Sequence, residues 1–404
     1  MKSIITVSKA PLALLFTLPV FVPVAAHAAK ERVLYSFNGA GNGGFVEAEL
    51  IMDAQGNLYG TAEEGGSTGC GGGGCGTVFK VTPDGQETTL HIFSGDDGAF
   101  PIAELIADSA GNLYGTTYNG GAHVAGTIFK VTPAGRMRVI YSFTGKSDGS
   151  NPFSGLIADE AGNFYGTTTS GGAYRKGTVF KITPRGKERV LYSFAGGTDG
   201  VYPIGTLLRD SAGNFYGTAT IGGADCDGTG FGCGIVFKLT PGGQETVLYR
   251  FQGGDHGANP GAGLVMDQTG ALYGTTNNGG VVCDDSGATC GTVYKLDANG
   301  NETGLHTFTG GSDGAYPKSR LLMDAAGNLF GTTAGGGAAG GECGCGIVFK
   351  MSRHGAEKIL HTFSQSDGHG PFAGLIPDAA GNFYGTTDVG GQYAYGTIFK
   401  IRNR

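Results

Sequence analysis

The segment Leu50-Ile51-Met52-Asp53-Ala54-Gln55-Gly56-Asn57-Leu58-Tyr59-Gly60-Thr61 contains the repeating signature of the whole chain. Two short apolar runs flank a D-x-x-G turn, a pattern that predicts a tight β-hairpin. The Asp carboxylate can accept backbone N–H groups within the turn, and the Gly can adopt the positive φ that closes it. The same turn recurs at Asp108–Gly111, Asp159–Gly162, Asp210–Gly213, Asp267–Gly270, Asp324–Gly327 and Asp378–Gly381. Seven copies of one unit indicate an array, a solenoid or a propeller.

Each unit of roughly fifty residues contains four short β-rich runs, which we label strands a to d in chain order. Strands a and b flank the D-x-x-G turn, and strand c follows a glycine-rich loop, as in Gly76–Val81. A T-P-x-G turn, Thr82–Gly85 in the first copy, leads to strand d and fits a type I hairpin with a Gly bulge. No window shows a helical period, and glycines at this density oppose helices. Four strands per unit of this length predict a propeller blade.

The order of the strands along the chain predicts that the propeller closes. A lone strand d, Val33–Phe37, comes first, and six complete a-b-c-d units follow. The last unit has only a, b and c, and it stops at Phe399-Lys400-Ile401. If the first strand pairs with the last one, every blade has four strands and no sheet edge is left bare. We therefore predict an all-β, seven-bladed β-propeller with four antiparallel strands per blade, closed by the N-terminal strand completing the last blade.

Residues 1–28 have the features of a signal peptide. Lys2 and Lys9 supply a positive start, the residues from Leu12 to Ala26 are almost wholly apolar, and Ala26-His27-Ala28 is an A-x-A cleavage site. A retained membrane anchor is the alternative, although three prolines oppose a spanning helix. We expect an exported protein, periplasmic or extracellular, whose residues 29–404 form a single propeller domain without a membrane span.

The bulk composition excludes one large class of partner. The 404 residues include 80 glycines, only 15% are charged, and the net charge is −7. No basic stripe is present to meet phosphates, so we predict no binding to nucleic acid. We expect a monomer.

The eight cysteines occur as four close pairs, all in the loop between strands b and c. A local pair in an exported protein predicts a disulfide bond that pins its loop. Zinc binding is the alternative, but the pairs belong to separate blades. The last pair is the weakest case, because one intervening residue strains the bridge geometry. The predicted pairs are Cys70/Cys75, Cys226/Cys233, Cys283/Cys290 and Cys343/Cys345.

Positions that vary on the repeated frame are the candidates for ligand binding. The residue before the Leu of strand a should lie near the central channel, where propeller ligands commonly bind. The candidates at this position are Glu49, Glu104, Thr206 and Arg320; glycines occupy it in the other units. Glu49 and Glu104 belong to adjacent blades, and their closeness is expected to raise the pKa of one of them. The alternative is that these side chains are solvated rim residues.

Other repeated polar residues have structural explanations. One lysine recurs in all seven c strands, and a ring of cations binding an anion competes with a packing contact repeated in each blade. His91, His306 and His361 replace a tyrosine of strand d, which indicates amphipathic packing and not metal ligation. We predict no metal site and no cofactor.

Two sets of motifs carry a family resemblance. Seven G-[NA]-[LF]-[YF]-G-T motifs, such as Gly162–Thr167, and seven G-[TI]-[VI]-[FY]-K motifs, such as Gly177–Lys181, recur along the chain. The pattern is similar to NHL-type propeller repeats and resembles more closely the bacterial gloeo/verruco (GloVer) tandem repeat. The resemblance implies an exported propeller and supplies no catalytic residues.

Three functions are compatible with these features. The first is a secreted, non-catalytic repeat scaffold that binds a glycan, a peptide or a cell-surface partner at the propeller face. The alternative is an envelope lyase or hydrolase acting at the mouth of the central channel through Glu49, Glu104 and Arg320. A structural module of the cell-surface matrix is the third. The first is favoured because no catalytic constellation occurs in the sequence.

Overall fold

The chain folds into seven sheets of four antiparallel strands each. The computed structural model describes residues 31–67, 69–226, 230–283, 287–337 and 344–402. Within these ranges the only helical elements are two single 3₁₀ turns, Cys70–Gly72 and Gly254–His256, and no helix has the length and apolarity to cross a membrane. The all-β, seven-bladed architecture predicted from the repeats is confirmed.

The strands have nearly the same lengths in every blade. Strand a is Ile51–Met52, Ile106–Ala107, Ile157–Ala158, Leu208–Arg209, Val265–Met266, Leu322–Met323 and Ile376–Pro377 in blades 1 to 7. Strand b is Leu58–Ala62, Leu113–Thr117, Phe164–Thr168, Phe215–Ala219, Leu272–Thr276, Leu329–Thr333 and Phe383–Thr387. Strand c is Thr77–Val81, Thr127–Val131, Thr178–Ile182, Ile235–Leu239, Thr292–Leu296, Ile347–Met351 and Thr397–Ile401. Strand d is Glu87–Ile92, Met137–Ser142, Glu188–Ser193, Glu245–Arg250, Glu302–Thr307 and Glu357–Thr362 in blades 1 to 6, and Glu31–Ser36 in blade 7.

The turn between strands a and b is organised by its Asp. In blade 1, Asp53 Oδ1 accepts the backbone N–H groups of Gln55 and Asn57, both at 2.9 Å. Its Oδ2 accepts Asn57 Nδ2 at 2.7 Å and the Tyr59 hydroxyl at 2.9 Å, while Gly56 has φ of 80°. Burial by itself would raise the pKa of Asp53, but these hydrogen bonds outweigh burial and lower the pKa. The turn predicted from D-x-x-G is therefore held by its own side chains.

The N-terminal strand completes blade 7. It pairs antiparallel with Thr397–Ile401, so that Glu31 lies opposite Ile401, Val33 opposite Phe399 and Ser36 opposite Thr397. The pairing has a bulge after Val33, and a bulge at the equivalent position interrupts the c–d pairing of every other blade, as between Val78 and Phe79. The first strand thus has the register of an ordinary strand d. Closure by the N-terminal strand agrees with the prediction.

The hydrophobic core lies between neighbouring blades. In the contact between blades 7 and 1, Phe37 and Phe79 are fully buried and their ring centroids are 4.9 Å apart. The same pair of rings recurs between the other blades, for example Phe194 and Phe237 at 5.2 Å. A glycine of strand b makes room for the second ring, because a Cβ on Gly217 would lie 2.6 Å from Phe237 Cζ. Each blade therefore depends on its neighbour for burial.

At the outer edge of the ring, the glutamate that begins strand d of one blade lies beside a hydrogen-bonded tyrosine–aspartate pair of the preceding blade. In the contact between blades 2 and 3, the Tyr141 hydroxyl donates to Asp148 Oδ2 at 2.9 Å, and Glu188 begins the next strand d. Glu188 Oε1 is buried and accepts no hydrogen bond within the described chain. Burial, and then the charge of Asp148, raise the pKa of Glu188 to about 7. Glu245 at the next contact also has an unpaired buried Oε1, and burial and then the charge of Asp199 raise its pKa to about 7 against the effect of Arg250.

We expect these glutamates to make the fold less stable as the pH rises. A raised pKa means that the folded state favours the protonated form of the glutamate. The stabilisation of the fold by this group is therefore complete below the ordinary pKa of 4.5 and is lost as the pH passes about 7. Glu188→Gln should stabilise the protein at pH 8 by about 1 kcal/mol, after allowance for solvent screening, and leave stability at pH 4.5 nearly unchanged. Thermal unfolding between pH 4.5 and 8 measures both effects. The exposed Glu160→Gln is the control, and an equal response of the two variants would contradict the expectation.

Candidate functional site

The mouth of the central channel is formed by loops from all seven blades. Because the strands alternate in direction, the d–a and b–c loops share one face of the propeller and the a–b and c–d turns share the other. The d–a loops deliver their last residues to the axis, where strand a begins. A cavity of about 360 Å³ lies there, lined among others by the four candidates Glu49, Glu104, Thr206 and Arg320. The structure therefore places all four in one cavity.

Arg320 and Glu49 form an ion pair across the cavity floor. Arg320 of blade 6 reaches past blade 7 to blade 1, and its Nη2 donates to Glu49 Oε1 at 2.6 Å while its Nε donates to Oε2 at 3.3 Å. Gly374 of blade 7 leaves space for this pair, since a Cβ there would lie 2.5 Å from Glu49 Oε2. Burial raises the pKa of Glu49 against the effect of the guanidinium, and the Glu49 charge raises the pKa of Arg320. The guanidinium therefore stays protonated.

Glu104 and Thr206 form a second bridge over another glycine blade. The Thr206 hydroxyl of blade 4 donates to Glu104 Oε1 of blade 2 at 2.5 Å, and the backbone N–H of Gly155 in blade 3 donates to the same hydroxyl at 3.2 Å. A Cβ on Gly155 would lie 2.6 Å from both carboxylate oxygens of Glu104. The alternation of long side chains and glycines around the ring thus lets blades that are not neighbours touch.

A second group of acidic residues lies above the floor and was not found in the sequence analysis. Glu47 of blade 1, Glu63 of the same blade and Asp388 of blade 7 interact electrostatically, and the Nζ of Lys318 lies 4.5 Å from the centroid of Phe372 beside them. Burial, followed by the charge of Glu47, raises the pKa values of Glu63 and Asp388 to about 7. Glu47 stands two residues before Glu49, so the same comparison between blades at that position would have found it.

The wall opposite these charges is apolar. The residues equivalent to Glu47 in blades 2, 3 and 4 are Ile102, Phe153 and Ile204, and all three line the cavity. Phe153 packs edge to face against Tyr118, with ring centroids 6.1 Å apart. The cavity therefore offers an aromatic and aliphatic wall on one side and charged groups on the other.

The d–a loops around the mouth share one unusual backbone conformation. Six non-glycine residues in the d–a loops have φ between 56° and 58°: Phe45, Phe100, Asn151, Tyr202, Asn259 and Tyr316. Such values are costly for aromatic side chains and persist only where the surroundings enforce them. A backbone hydrogen bond to the preceding blade accompanies this conformation with or without a cystine. Phe100 N–H donates to the Cys75 carbonyl at 2.9 Å, and Asn151 N–H donates to the Ala125 carbonyl at 2.9 Å.

Three of the four expected cysteine pairs are joined in the structure. The Cα atoms are 5.2 Å apart in Cys70–Cys75 and Cys283–Cys290 and 5.9 Å apart in Cys226–Cys233. The expected Cys343–Cys345 bond lies outside the described residues, because Cys343 is not among them. Each bond closes a b–c loop, on the same face of the propeller as the mouth.

The repeated lysines of strand c lie far from the mouth, near the a–b turns. In every blade the Lys Nζ lies 4.8–5.7 Å from the centroid of the strand b ring at the equivalent position. Lys400 also pairs with the turn Asp378 at 3.3 Å, and Lys181 with Asp159 at 3.9 Å. A packing contact repeated in each blade accounts for these lysines, as favoured above.

The repeated units match a known family. The sequence profile of the Gloeobacter/Verrucomicrobia repeat matches residues 20–157, 70–281 and 228–404. The chain belongs to the Gloeobacter/Verrucomicrobia repeat family. This assignment confirms the resemblance carried by the G-N-F-Y-G-T and G-T-V-F-K motifs. No curated protein is significantly similar to this member of the repeat family.

Two solved structures similar to this Gloeobacter/Verrucomicrobia repeat protein are extracellular domains from B. thetaiotaomicron. That of BT3049, assigned to a hybrid two component system, has a TM-score of 0.56 at 14% identity and covers 93% of this chain and 41% of its own. That of BT4673, also assigned to a hybrid two component system, has a TM-score of 0.59 at 11% identity and covers 93% and 40%. The chain thus spans about two fifths of either structure's length, and the likeness shows a shared fold alone.

A gluconolactonase from Xanthomonas campestris also matches. It is 17% identical, covers 75% of this chain and 86% of its own, and has a TM-score of 0.43. This likeness is too weak to bear on the fold or on the chemistry of the site.

Proposed function

We propose that this protein is an exported, non-catalytic binding scaffold whose ligand, a glycan, a peptide or a cell-surface partner, occupies the mouth of the channel. The observation that supports this proposal is that the seven blades differ from one another in the side chains that they present at the mouth. Blades that repeat one another in their strands present different side chains around a single cavity of about 360 Å³. That volume is in the range of small-ligand sites, which begin at about 300 Å³.

The chemistry of the walls favours an amphipathic ligand. Phe153 and the two isoleucines offer an apolar surface on which a sugar ring or an apolar side chain can pack, and Glu47, Glu104 and Lys318 offer hydrogen-bonding partners on the remaining sides. The floor is rigid, because each long side chain there is already hydrogen-bonded to another blade. A preorganised wall of this kind reduces the entropy that a ligand must lose on binding.

Binding without turnover is favoured over the lyase or hydrolase alternative. Glu49 is paired with Arg320, and one oxygen of Glu104 accepts the Thr206 hydroxyl. An acid–base mechanism through Glu49 and Glu104 needs both carboxylates free to exchange protons with the substrate, and these contacts hold both side chains on protein partners. The acidic group of Glu47, Glu63 and Asp388 is the feature most compatible with an enzyme, because the pKa values of Glu63 and Asp388 are raised to about 7. Of these three carboxylates, Glu47 alone lines the cavity.

Export is supported by three separate features. Residues 1–28 have the composition of a cleavable signal peptide and lie outside the described residues. The disulfide bonds are typical of an oxidising compartment. Two similar structures are extracellular domains. We infer that the protein acts in the periplasm or outside the cell, as one monomeric propeller formed by residues 29–404.

The proposal predicts that changes at the mouth weaken ligand binding. Glycan and peptide arrays probed with the protein lacking residues 1–28 would identify the ligand. Phe153→Ala should then weaken its binding by at least tenfold, because it removes the aromatic part of the wall, and Glu104→Gln should weaken it less. Glu160→Gln, in the exposed a–b turn on the opposite face of the propeller, should leave binding unchanged.

The competing outcomes are distinguishable in the same assay. Ligand binding that Phe153→Ala leaves unaltered would place the site elsewhere on the propeller. Conversion of the ligand by the wild-type protein, abolished by Glu104→Gln, would show that the protein is an enzyme and would overturn the non-catalytic assignment.

A further inference from the structure

Closure of the ring brings together three side chains from opposite ends of the chain, and all three are of types that commonly bind metals. Glu31 is the first residue of the N-terminal strand d in blade 7, whereas His361 and Asp367 belong to strand d and the following loop of blade 6. One ligand atom from each of the three lies within 4.8 Å of the others. The group lies at the outer contact between blades 6 and 7, away from the mouth. We propose that Glu31, His361 and Asp367 bind a divalent transition-metal ion of the Zn²⁺ type.

The two residues from blade 6 are held in an orientation suited to a metal. His361 Nε2 lies 3.0 Å from Asp367 Oδ2, and both side chains are largely buried. Asp367 Oδ1 accepts the backbone N–H and the hydroxyl of Ser364, at 2.7 and 2.9 Å, so Oδ2 is directed at the histidine. The imidazole packs edge to face on Phe363, at 4.7 Å between centroids. Outer contacts of this kind fix the orientation of metal ligands.

Glu31 contributes a carboxylate oxygen without a hydrogen-bond partner, as Glu188 and Glu245 do at the equivalent contacts. Among the described residues, the Glu31 contact is the one where a histidine nitrogen and an aspartate oxygen lie close enough to share an ion with that glutamate. Its Oε1 is buried and accepts no hydrogen bond from any described residue. A buried carboxylate oxygen next to a second carboxylate is unfavourable unless a proton or a cation compensates it. An ion bound by one imidazole nitrogen and two carboxylate oxygens would supply that compensation, and this donor set suits Zn²⁺ and similar metals.

Comparison of the blades separates metal binding from packing. In blades 2 and 3 the position of His361 is a tyrosine, Tyr141 or Tyr192, whose hydroxyl donates to the loop Asp at 2.9 or 2.8 Å. A tyrosine therefore satisfies the packing and hydrogen-bonding needs of this position. What the histidine adds is a nitrogen donor. The sequence analysis assigned the three histidines to packing because it could not show that Glu31 lies beside one of them.

The other two histidines provide controls. His91 pairs with Asp97 at 2.9 Å, but the next strand d begins with Met137 where blade 7 has Glu31, so a third ligand is missing. His306 faces Asp313 at 3.5 Å and Glu357 at 3.9 Å, a looser version of the same group. Replacing His306 by tyrosine removes this second group from the measurement. The substitution is conservative, because blades 2 and 3 already have a tyrosine at the equivalent position.

The experiment measures Zn²⁺ binding by calorimetry and thermal unfolding with and without Zn²⁺, on purified protein lacking residues 1–28. In a His306→Tyr background we expect one Zn²⁺ per chain and a rise in Tm that a chelator reverses, because the ion binds the closed ring only. Adding His361→Tyr should weaken Zn²⁺ binding by at least tenfold and abolish the rise in Tm. Adding His91→Tyr instead should leave both unchanged.

Glu31→Gln is the second variant, because it keeps the shape of the side chain and removes one ligand charge. It should also weaken Zn²⁺ binding while the protein stays folded without metal. The proposal is overturned if no stoichiometric Zn²⁺ binding occurs, or if His361→Tyr and His91→Tyr bind Zn²⁺ equally well. Neither result would affect ligand binding at the channel mouth.

Discussion

Deletion of residues 31–37 should destabilise the whole protein and not merely one end of it. The deletion removes strand d of blade 7 and exposes the edge of Thr397–Ile401. It also removes Phe37, which is fully buried against Phe79 of blade 1. Loss of the buried apolar side chains and the strand pairing should cost about 5 kcal/mol or more, a large share of the stability of an ordinary domain. Thermal or urea unfolding of the truncated and intact proteins measures the loss.

The control for this deletion is complementation by the missing strand. A synthetic peptide with the sequence of residues 31–37 should bind the truncated protein by adding a strand to the vacant edge and should restore part of the lost Tm. A peptide of the same composition in scrambled order should not. A truncated protein that unfolds at the same temperature as the intact chain would contradict ring closure.

Phe237→Ala should strongly destabilise the propeller, because it removes one of the fully buried rings between blades. Phe237 is fully buried at the contact of blades 3 and 4, 5.2 Å from Phe194, and Gly217 leaves no side chain to fill the space. Truncation of a buried phenylalanine leaves a cavity and costs about 3–5 kcal/mol. The exposed Tyr174→Ala should cost about 0.5 kcal/mol or less. A loss below about 1 kcal/mol for Phe237→Ala would show that the ring does not depend on contacts between blades.

Ring closure was predictable because it depends on strand order alone. The chain starts with an unpaired strand d and ends with a blade that lacks strand d, so only pairing of the two completes every blade. The pairing of Val33 with Phe399 is the observed form of this arrangement. The D-x-x-G turn was predictable for a similar reason, since the hydrogen bonds that close it are made within seven residues, as from the Tyr59 hydroxyl to Asp53. Features of this kind are local or repeated, so each copy supports the others.

The contacts at the mouth were only partly predictable. Comparison of the blades found the four positions that line the cavity floor, but it paired Glu49 with Glu104 because they lie on adjacent blades. The structure adds an ion pair of Glu49 with Arg320 across the glycine of blade 7. After burial, the charge of Glu104 still contributes to the raised pKa of Glu49, as the adjacent positions predicted. Which side chains meet across a ring depends on their reach and on the space that glycines leave, and neither follows from order along the chain.

The association of Glu31 with His361 was hidden for the same reason. The two residues lie at opposite ends of the sequence, and they become neighbours only once the N-terminal strand has joined the last blade. Closure and the metal proposal are therefore linked, since a ring that did not close through residues 31–36 would separate the three ligands.

A cross-link between the first and last strands tests closure most directly. Arg32 and Lys400 are partners in the register of blade 7, as Arg189 and Lys181 are in blade 3. The pair Arg32→Cys and Lys400→Cys should form an additional disulfide bond, detected by mass spectrometry of digested protein, as readily as Arg189→Cys with Lys181→Cys. Arg32→Cys combined with Lys350→Cys in blade 6 should not. A cross-link in blade 3 but none between residues 32 and 400 would contradict a propeller closed by its N-terminal strand.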